Sequence, residues 1–336
     1  MPGIKLFFVM LTAGLALLPG CGRKPAGNYC SMDGFALGTS YHFIVNAADT
    51  TGLRRQVDSL FEAADASMSV YRRGSLLNRL NANETDSVDT HIARCIEIAR
   101  QVSELSGGVY DITVKPLTQA WGFTGQDAQF RPNVDSLLQY VGYKKIRIEN
   151  GRLIKERPEI QIDLNSVAKG YIVDLMGQLM SSRGAKDYLV EIGGEVVCRG
   201  KSSRGGNWVV AVDKPSDGNY VPGADVQVKL SFSGKGLATS GNYRKFYYDA
   251  DGRKIVHTIN AVTGESSPGN LLSATALAPD CATADALGTA MMALGLERSE
   301  ELLRSHPEYS GYLIYSGNDG NYEIFMSESV KKMIVE

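Results

Sequence analysis

The segment CATADALGTAMMALG, residues 281–295, carries Asp285 and Thr289 in a sequence built almost wholly from small and apolar residues. Its composition predicts a buried helix, and Asp285 and Thr289 would share one face of that helix. A carboxylate buried without a partner costs several kcal/mol or takes up a proton. The pair therefore indicates either a cation site or a polar pair within the core, in which the Thr289 hydroxyl bonds back to its own helix.

A second polar group lies in the segment IQIDLNSVAKGYIVDLM, residues 160–176. We expect a strand that ends at Asp163, followed by a helix from Ser166 to Ser182 with Lys169 in its first turns. A strand end that leads into a helix can bind an anion, and a lysine there adds a positive charge. The alternative is that Asp163 caps the helix and that Lys169 is a solvated surface charge.

Other candidate residues are weak signals when each is taken alone. His257 lies in IVHTIN, a predicted strand, where a histidine is more often a hydrogen-bonded structural residue than a catalyst. Tyr71 and the pair Tyr110-Asp111 fit turns or core packing as well as a ligand site. The four histidines of the chain lack the spacing of zinc ligands, so a zinc site is not expected.

The overall composition is that of an ordinary globular protein, with 336 residues of which 43% are hydrophobic. The formal net charge of −2 and the lack of a basic run interleaved with aromatics argue against a nucleic-acid partner. The glycine-rich segment SGKGLATSG, residues 233–241, matches neither the P-loop nor the GxGxxG pattern. A GxSxG nucleophile elbow is also absent from the sequence.

The N-terminus has the pattern of an export signal. An apolar stretch, residues 6–18, follows Lys5 and is too short for a stable membrane span. The segment LPGC at its end resembles a bacterial lipobox, which implies cleavage before Cys21 and lipid on its sulfur. We expect a protein that is exported and lipid-anchored to a bacterial membrane, facing the periplasm, with a signal peptide at 1–20, a tether at 21–30 and one domain at 31–336. The alternative is an ordinary secretory signal with a chance cysteine.

Hydrophobic periodicity predicts helices and strands in mixed order. One helix would open at Thr50 or Thr51, and a second would run from about His91 to Leu105. The pattern predicts a strand from Phe35 to Val45. Hairpin turns are predicted at Asn150-Gly151, Asp251-Gly252 and Gly193-Gly194, and further strands at 207–212, 225–233 and 271–278. The predicted class is α+β, with mixed, largely antiparallel sheets, packed helices and two lobes around a cleft.

Eight segments, in order along the chain, resemble the FAD:protein FMN transferases, the ApbE-type flavin transferases. The segments are FALGTSYHF, MSVYRRGSLLNRLN, SGGVYDITVKPLTQAWGF, IDLNSVAKGYIVD, YLVEIGGEVVCRG, GLATSGNYRKFY, HTINAVTGES and CATADALGTAMMALG. The resemblance covers nearly all of the chain after the N-terminal signal. It implies an α+β fold with a flavin-binding cleft.

The resemblance also implies a reaction and its metal. Family members cleave the pyrophosphate of FAD and join FMN through its phosphate to a Thr or Ser hydroxyl of another protein, and they release AMP and require magnesium. By resemblance, Asp285 and Thr289 are side-chain ligands of Mg²⁺, and the backbone carbonyl of Ser166 is the third protein ligand. Such oxygen ligands suit Mg²⁺ and would also accept Mn²⁺. Asp285, Lys169 and His257 are the implied catalytic residues, and the general base stays open.

The implied contacts with the flavin nucleotide are spread along the chain. They are Leu37, Tyr71, Val109, Tyr110, Asp111, Asp163, Lys169 and Ile259. Two of them depart from the residues that are common in the family, since Leu37 stands where a methionine is usual and Tyr110 replaces a phenylalanine. The first change keeps an apolar contact and the second keeps the ring.

Two other activities fit the same residues. In an FAD pyrophosphatase, water would replace the acceptor hydroxyl and free FMN would result, and in a non-catalytic flavin-binding lipoprotein FAD would stay intact. For the transferase, the resemblance implies FAD and an exported or membrane-bound flavoprotein with a short Ser/Thr flavinylation motif as partners. Subunits of the Rnf-type and sodium-translocating NADH:quinone reductase complexes are examples.

Overall fold

The structure is a computed structural model that describes residues 27–123, 132–216, 225–243, 246–267 and 269–336. The predicted signal peptide and Cys21 lie outside these residues. The helices are α1 Leu53–Met68, α2 Leu76–Asn81, α3 Thr90–Leu105, α4 Lys115–Ala120, α5 Val134–Leu138, α6 Ala168–Ser182, α7 Cys281–Leu294, α8 Leu296–Ser305 and α9 Glu328–Lys331, with short 3₁₀ helices at Ile112–Val114 and Tyr143–Lys145.

The strands are β1 Tyr29–Ala36, β2 Thr39–Asn46, β3 Ile146–Glu149, β4 Arg152–Lys155, β5 Asp187–Ile192, β6 Glu195–Arg199, β7 Trp208–Asp213, β8 Val226–Phe232, β9 Lys235–Gly241, β10 Phe246–Tyr248, β11 Lys254–Val256, β12 Leu271–Ala278, β13 Ser310–Ser316, β14 Tyr322–Met326 and β15 Ile334–Val335. Eight of them form one sheet in the order β1-β2-β5-β6-β9-β12-β13-β14. Every neighbouring pair in that sheet is antiparallel. The α+β class with largely antiparallel sheets is confirmed.

The large sheet is covered on both faces. Helices α1, α3, α6 and α7 pack on one face, and the largest core cluster lies between them and the sheet, with Phe43, Val190 and Met176 among its fully buried side chains. The three-stranded sheet β15-β8-β7 packs on the other face through Trp208, Leu230 and their neighbours. A third, smaller cluster around α4, α5 and β11 lies next to these layers. No helix in the described ranges is long and apolar enough to cross a membrane.

The predicted single strand from Phe35 to Val45 is wrong, because β1 and β2 form a hairpin that turns at Leu37-Gly38. Leu37 has φ 52° and Gly38 has φ 78°, which is the left-handed geometry of a two-residue hairpin turn. Leucine rarely occupies such a turn, so the apolar pattern concealed it. Because β1 begins at Tyr29, the last two residues of the predicted tether belong to the sheet.

The predicted start of one helix and one predicted strand are also wrong. Helix α1 begins after Gly52, which has φ 72° and supplies no side-chain cap, so neither Thr50 nor Thr51 caps it. The residues directly before Asp163 do not form a strand, because the side chain of Asn81 takes the place of a neighbouring strand. Its Oδ1 accepts from the Ile162 N–H at 2.7 Å, and its Nδ2 donates to the Ile162 carbonyl at 2.8 Å.

The predicted hairpin turns at Asn150-Gly151 and Gly193-Gly194 are confirmed. Strands β10 and β11 also pair as predicted, but Asp251-Gly252 is not a two-residue turn. The loop between Tyr248 and Lys254 is longer, and Gly252 alone has a positive φ, of 74°. The predicted helix from Ser166 to Ser182 is present and begins two residues later, at Ala168.

Candidate functional site

The site is organised by the close packing of α6 against α7. Gly170 lies at this contact, and a Cβ on it would be 2.4 Å from the carbonyl oxygen of Cys281 and 2.8 Å from the Cβ of Asp285. Only a residue without a side chain fits there. The approach lets the backbone N–H of Gly170 donate to Oδ2 of Asp285 at 3.0 Å, so the buried carboxylate is held by the backbone of the neighbouring helix.

Asp285 is 5% exposed, as the sequence predicts for this helix face. Burial raises the pKa of its carboxyl group, while Lys169 and the Gly170 N–H oppose the increase. Within the described part of the chain, no protein donor reaches Oδ1. The carboxylate therefore has one anchored oxygen and one that is available to a cation, which is the arrangement expected of a metal ligand.

Thr289 follows Asp285 by one helical turn of α7. Its hydroxyl lies 3.3 Å from Oγ of Ser240 on β9. Helix and strand pack closely at this point, since a Cβ added to the preceding residue, Gly288, would lie 3.1 Å from the same Ser240 oxygen. The hydroxyl is thus held by the sheet rather than bonded back to its own helix. Sequence reasoning missed Ser240, although it lies within GLATSG.

Ser166 and Tyr110 meet across the site. The Ser166 hydroxyl donates to the Tyr110 phenolic oxygen at 3.0 Å, and Tyr110 is 3% exposed. Burial raises the pKa of Tyr110, and the negative charge of Asp285 acts in the same direction. Ser166 lies on the segment that leads into α6, and Gly170 of α6 binds Asp285, so the structure brings Ser166, Tyr110 and Asp285 into one region. Metal binding by the Ser166 carbonyl stays a prediction.

Lys169 is not the solvated surface charge of the alternative interpretation. Its Nζ lies 2.6 Å from Oε2 of Glu195, and the two side chains are 40% and 4% exposed. Burial raises the pKa of the Glu195 carboxyl group, the charge of Lys169 opposes this increase, and the like charge of Asp285 adds to it. For Lys169, burial alone would lower the pKa, but the Glu195 and Asp285 carboxylates outweigh it and leave the pKa raised.

Sequence reasoning missed Glu195. The available signal was a charged residue directly after Gly193-Gly194 at the start of the apolar strand EVVCR, where a solvated position was the natural assumption. Its partner Lys169 is far away in the sequence, so no local pattern links the two residues.

The predicted nucleotide contacts Val109, Asp163 and Ile259 lie on segments that are joined by backbone hydrogen bonds. The Val109 carbonyl accepts from Ala261 N–H at 3.0 Å, in the loop that follows Ile259. The N–H of Asp163 donates to the carbonyl of Ile112 at 2.7 Å, so Asp163 is next to the segment that carries Val109 and Tyr110. Asp163 does not cap α6, because its Oδ1 accepts from Asn165 N–H at 2.8 Å and the helix begins after Val167.

Asp111 has a structural role in addition to its predicted ligand contact. Its Oδ1 accepts from the N–H and the hydroxyl of Thr113 at 2.8 and 2.7 Å, and its Oδ2 accepts from Tyr143 N–H. Both oxygens of this buried carboxylate are thus occupied by protein donors. The side chain fixes the backbone around Tyr110, and the contact of Asp111 with a nucleotide stays a prediction.

His257 lies after β11 and is half-buried, with its ring 6.3 Å from that of Phe123. The next residue, Thr258, donates from its hydroxyl to Oδ1 of the buried Asn242 at 2.8 Å, which holds this segment against the end of β9. Sequence reasoning missed Asn242, which lies in the matching segment GLATSGNYRKFY.

Two predicted contacts stand apart from this network. Leu37 is 40% exposed at the β1–β2 turn, and Tyr71 is 77% exposed in the loop between α1 and α2. The Leu37 turn lies near the start of β6, because Gly193 N–H donates to the carbonyl of Ser40 at 3.0 Å. Their contact with a flavin stays a prediction.

The described ranges contain no group of three His, Cys, Asp or Glu side chains that could hold a metal. The family resemblance implies a different donor set of one carboxylate, one hydroxyl and one carbonyl, which relies on phosphate and water oxygens to complete its coordination. Asp285, Thr289 and Ser166 supply hard oxygen atoms of this kind. The residues present therefore fit Mg²⁺ better than a zinc or iron site.

Comparisons with known proteins point to one family. The family model described as "ApbE family" matches residues 37–313. The chain is 33% identical to an FAD:protein FMN transferase of Vibrio cholerae, over 97% of this chain and 98% of the relative, and 30% identical to one of Escherichia coli K12, over 97% of each.

Solved structures give the same result. The flavin transferase ApbE from Vibrio cholerae superimposes with a TM-score of 0.80 at 29% identity, over 91% of this chain and 99% of that one. The apo form of the flavinyl transferase ApbE from Pseudomonas stutzeri gives a TM-score of 0.81 at 26% identity, over 91% and 96% of the two chains.

Proposed function

Because the chain belongs to the ApbE family, we propose that it is an enzyme that transfers the FMN part of FAD to a Ser or Thr hydroxyl of another protein. The hydroxyl oxygen forms a bond to the phosphorus of FMN, the P–O bond to the AMP phosphate breaks, and AMP leaves. The observation that carries this proposal is the buried Asp285 carboxylate, which is anchored by Gly170 and lies within the field of Lys169.

We further propose that the reaction depends on Mg²⁺. Asp285 would bind the ion through the oxygen that Gly170 leaves open, Thr289 through its hydroxyl and Ser166 through its backbone carbonyl. The bound ion would supply relief of negative charge on the pyrophosphate, which is the main requirement of phosphoryl transfer.

The protein side chains would do the rest of the work. Lys169 keeps its proton because its pKa is raised, so it can donate to phosphate oxygens as a cation. His257 is the candidate that accepts the proton of the acceptor hydroxyl or donates one to the leaving phosphate. The Asn242 contact with Thr258 would restrict the movement of this histidine's backbone.

We propose that the enzyme is exported and lipid-anchored through Cys21, and that its acceptors are exported or membrane-bound flavoproteins. The lipobox-like LPGC segment supports this location. Strand β1 begins at Tyr29, so the chain between the anchor and the sheet could extend at most on the order of 30 Å. The active domain would therefore work close to the membrane surface.

One assay tests the activity. The protein without its predicted signal peptide is incubated with FAD, Mg²⁺ and an acceptor flavoprotein that carries a Ser/Thr flavinylation motif, and AMP, free FMN and acceptor-bound flavin are measured. The transferase predicts AMP and labelled acceptor in equal amounts. Free FMN with unlabelled acceptor would show a pyrophosphatase for that acceptor, and intact FAD would contradict both enzyme activities.

A further inference from the structure

Glu195 is a buried carboxylate outside the ligand set expected from the family resemblance. It is the first residue of β6 and pairs in register with Ile192, whose side chain lies in the core on the helix side of the sheet. Its carboxylate therefore enters the layer that contains α6 and α7 instead of solvent. A carboxylate in such a position requires a counter-charge.

Lys169 supplies that charge from the first turn of α6, with Nζ 2.6 Å from Oε2 of Glu195. The next residue is Gly170, whose N–H holds Asp285. Two consecutive residues of one helix thus bind the two buried carboxylates. Lysine has a long and flexible side chain, so its ammonium group needs a fixed partner to stay at one place in a half-open site.

The charge of Glu195 competes with that of Asp285 for the ammonium group of Lys169. When Lys169 pairs with an ionised Glu195, the two charges cancel, and the ammonium group is held at this pair instead of at Asp285. Loss of Glu195 would leave Asp285 as the remaining buried carboxylate to draw the ammonium group towards the metal position.

We propose that Glu195 is a positioning residue that holds the ammonium group of Lys169 where it meets the phosphates of the substrate. Strand β6 is flanked on both sides by neighbouring strands of the large sheet, so it offers a rigid base for this contact. The proposal rests on the proposed function, because the phosphates are those of FAD. It gives Glu195 no contact with substrate.

A double-mutant cycle tests the proposal. Glu195→Gln keeps the shape of the side chain and removes its charge, and it should lower kcat for AMP release from FAD about tenfold, with a KM change of less than about threefold. In the Lys169→Gln background, the same change should lower kcat less than about twofold. Glu191→Gln is the matched control, since Glu191 lies on the same hairpin and bonds to Gly194 N–H. This control should stay within about twofold of the wild type.

Equal losses from Glu195→Gln in both backgrounds, or an unchanged kcat in the single variant, would overturn the proposal. If Glu195→Gln does not fold by circular dichroism, Glu195→Asp replaces it, because the shorter side chain keeps the charge and breaks the contact. If the wild type releases no AMP, the proposed function fails separately. The cycle is then run on FAD affinity by flavin fluorescence, where independent effects of the two substitutions would overturn the positioning role.

Discussion

The backbone N–H of Gly170 holds Oδ2 of Asp285 at 3.0 Å, and the contact exists because Gly170 has no side chain. Two helices from distant parts of the sequence thus meet at one hydrogen bond. The bond orients a buried carboxylate whose other oxygen is available to a cation. Position 170 therefore affects packing and the proposed metal site together.

Gly170→Ala should reduce both stability and metal binding. The added methyl group would meet backbone atoms of Cys281, which cannot move aside as a side chain can, so we expect a loss of about 2–3 kcal/mol in the free energy of unfolding. Gly177→Ala is the control in the same helix, because its methyl group would meet only side-chain atoms of Val197 and Tyr188. Urea unfolding and Mn²⁺ binding by electron paramagnetic resonance measure the two effects, and equal behaviour of the two variants would contradict the prediction.

Asp285→Asn should abolish metal-dependent AMP release and leave the fold intact. Burial disfavours the charge of Asp285, so the neutral amide should unfold at an equal or higher temperature. Thermal unfolding, Mn²⁺ affinity and AMP release are measured on the same preparation. A variant that still binds Mn²⁺ with wild-type affinity would remove Asp285 from the metal site.

Thr289→Val tests the hydroxyl ligand at almost constant volume. We expect Mn²⁺ affinity to fall at least about tenfold, because a hard oxygen donor is lost. Thr283→Val is the control, since Thr283 lies in the first turn of the same helix and its N–H is capped by Asp280 at 2.8 Å. Equal Mn²⁺ affinity in both variants would exclude Thr289 as a ligand.

The sequence predicted α7 well because its small and apolar residues permit only a buried helix, and a charge inside such a helix must have a partner. It could not predict that partner's geometry. The contact at Gly170 depends on how closely two helices approach, and the pairing of Lys169 with Glu195 depends on the position of β6 in the sheet. Both are long-range properties that no local pattern contains.

Two errors in the predicted strands have identifiable causes in the structure. A leucine in the left-handed conformation concealed the Leu37-Gly38 turn, because periodicity continues across it. The segment before Asp163 has the alternating composition of a strand, and the side chain of Asn81 takes the place of the neighbouring strand. In both cases the hydrophobic pattern was correct about burial and wrong about hydrogen bonding.

Tyr110→Phe tests whether the phenol has a chemical role. The ring is buried, and the hydroxyl accepts from Ser166 at 3.0 Å. Loss of this bond should cost about 1 kcal/mol in the free energy of unfolding and change kcat for AMP release less than about threefold, because the Ser166 backbone stays in place. A loss of activity above about a hundredfold, with the fold intact, would show that the phenol takes part in the reaction.

Asp174 should make stability depend on pH. Its carboxylate accepts the N–H groups of Cys281 and Ala282 at 2.9 Å each, at the start of α7, and burial raises its pKa from 3.8 to about 7 despite these bonds. The folded protein therefore binds this proton more tightly than the unfolded chain does. The resulting stabilisation is complete below pH 3.8 and is lost as the pH rises through about 7.

Asp174→Asn cannot titrate, so its free energy of unfolding should rise relative to the wild type between pH 4 and pH 7. Each pH unit over which the two states differ fully in protonation contributes about 1.4 kcal/mol, which limits the whole effect to a few kcal/mol. Urea unfolding of both proteins at several pH values measures the difference, and the comparison cancels the other titrating groups. A difference that is constant across this range would show that the N–H groups of α7 keep the Asp174 carboxylate charged.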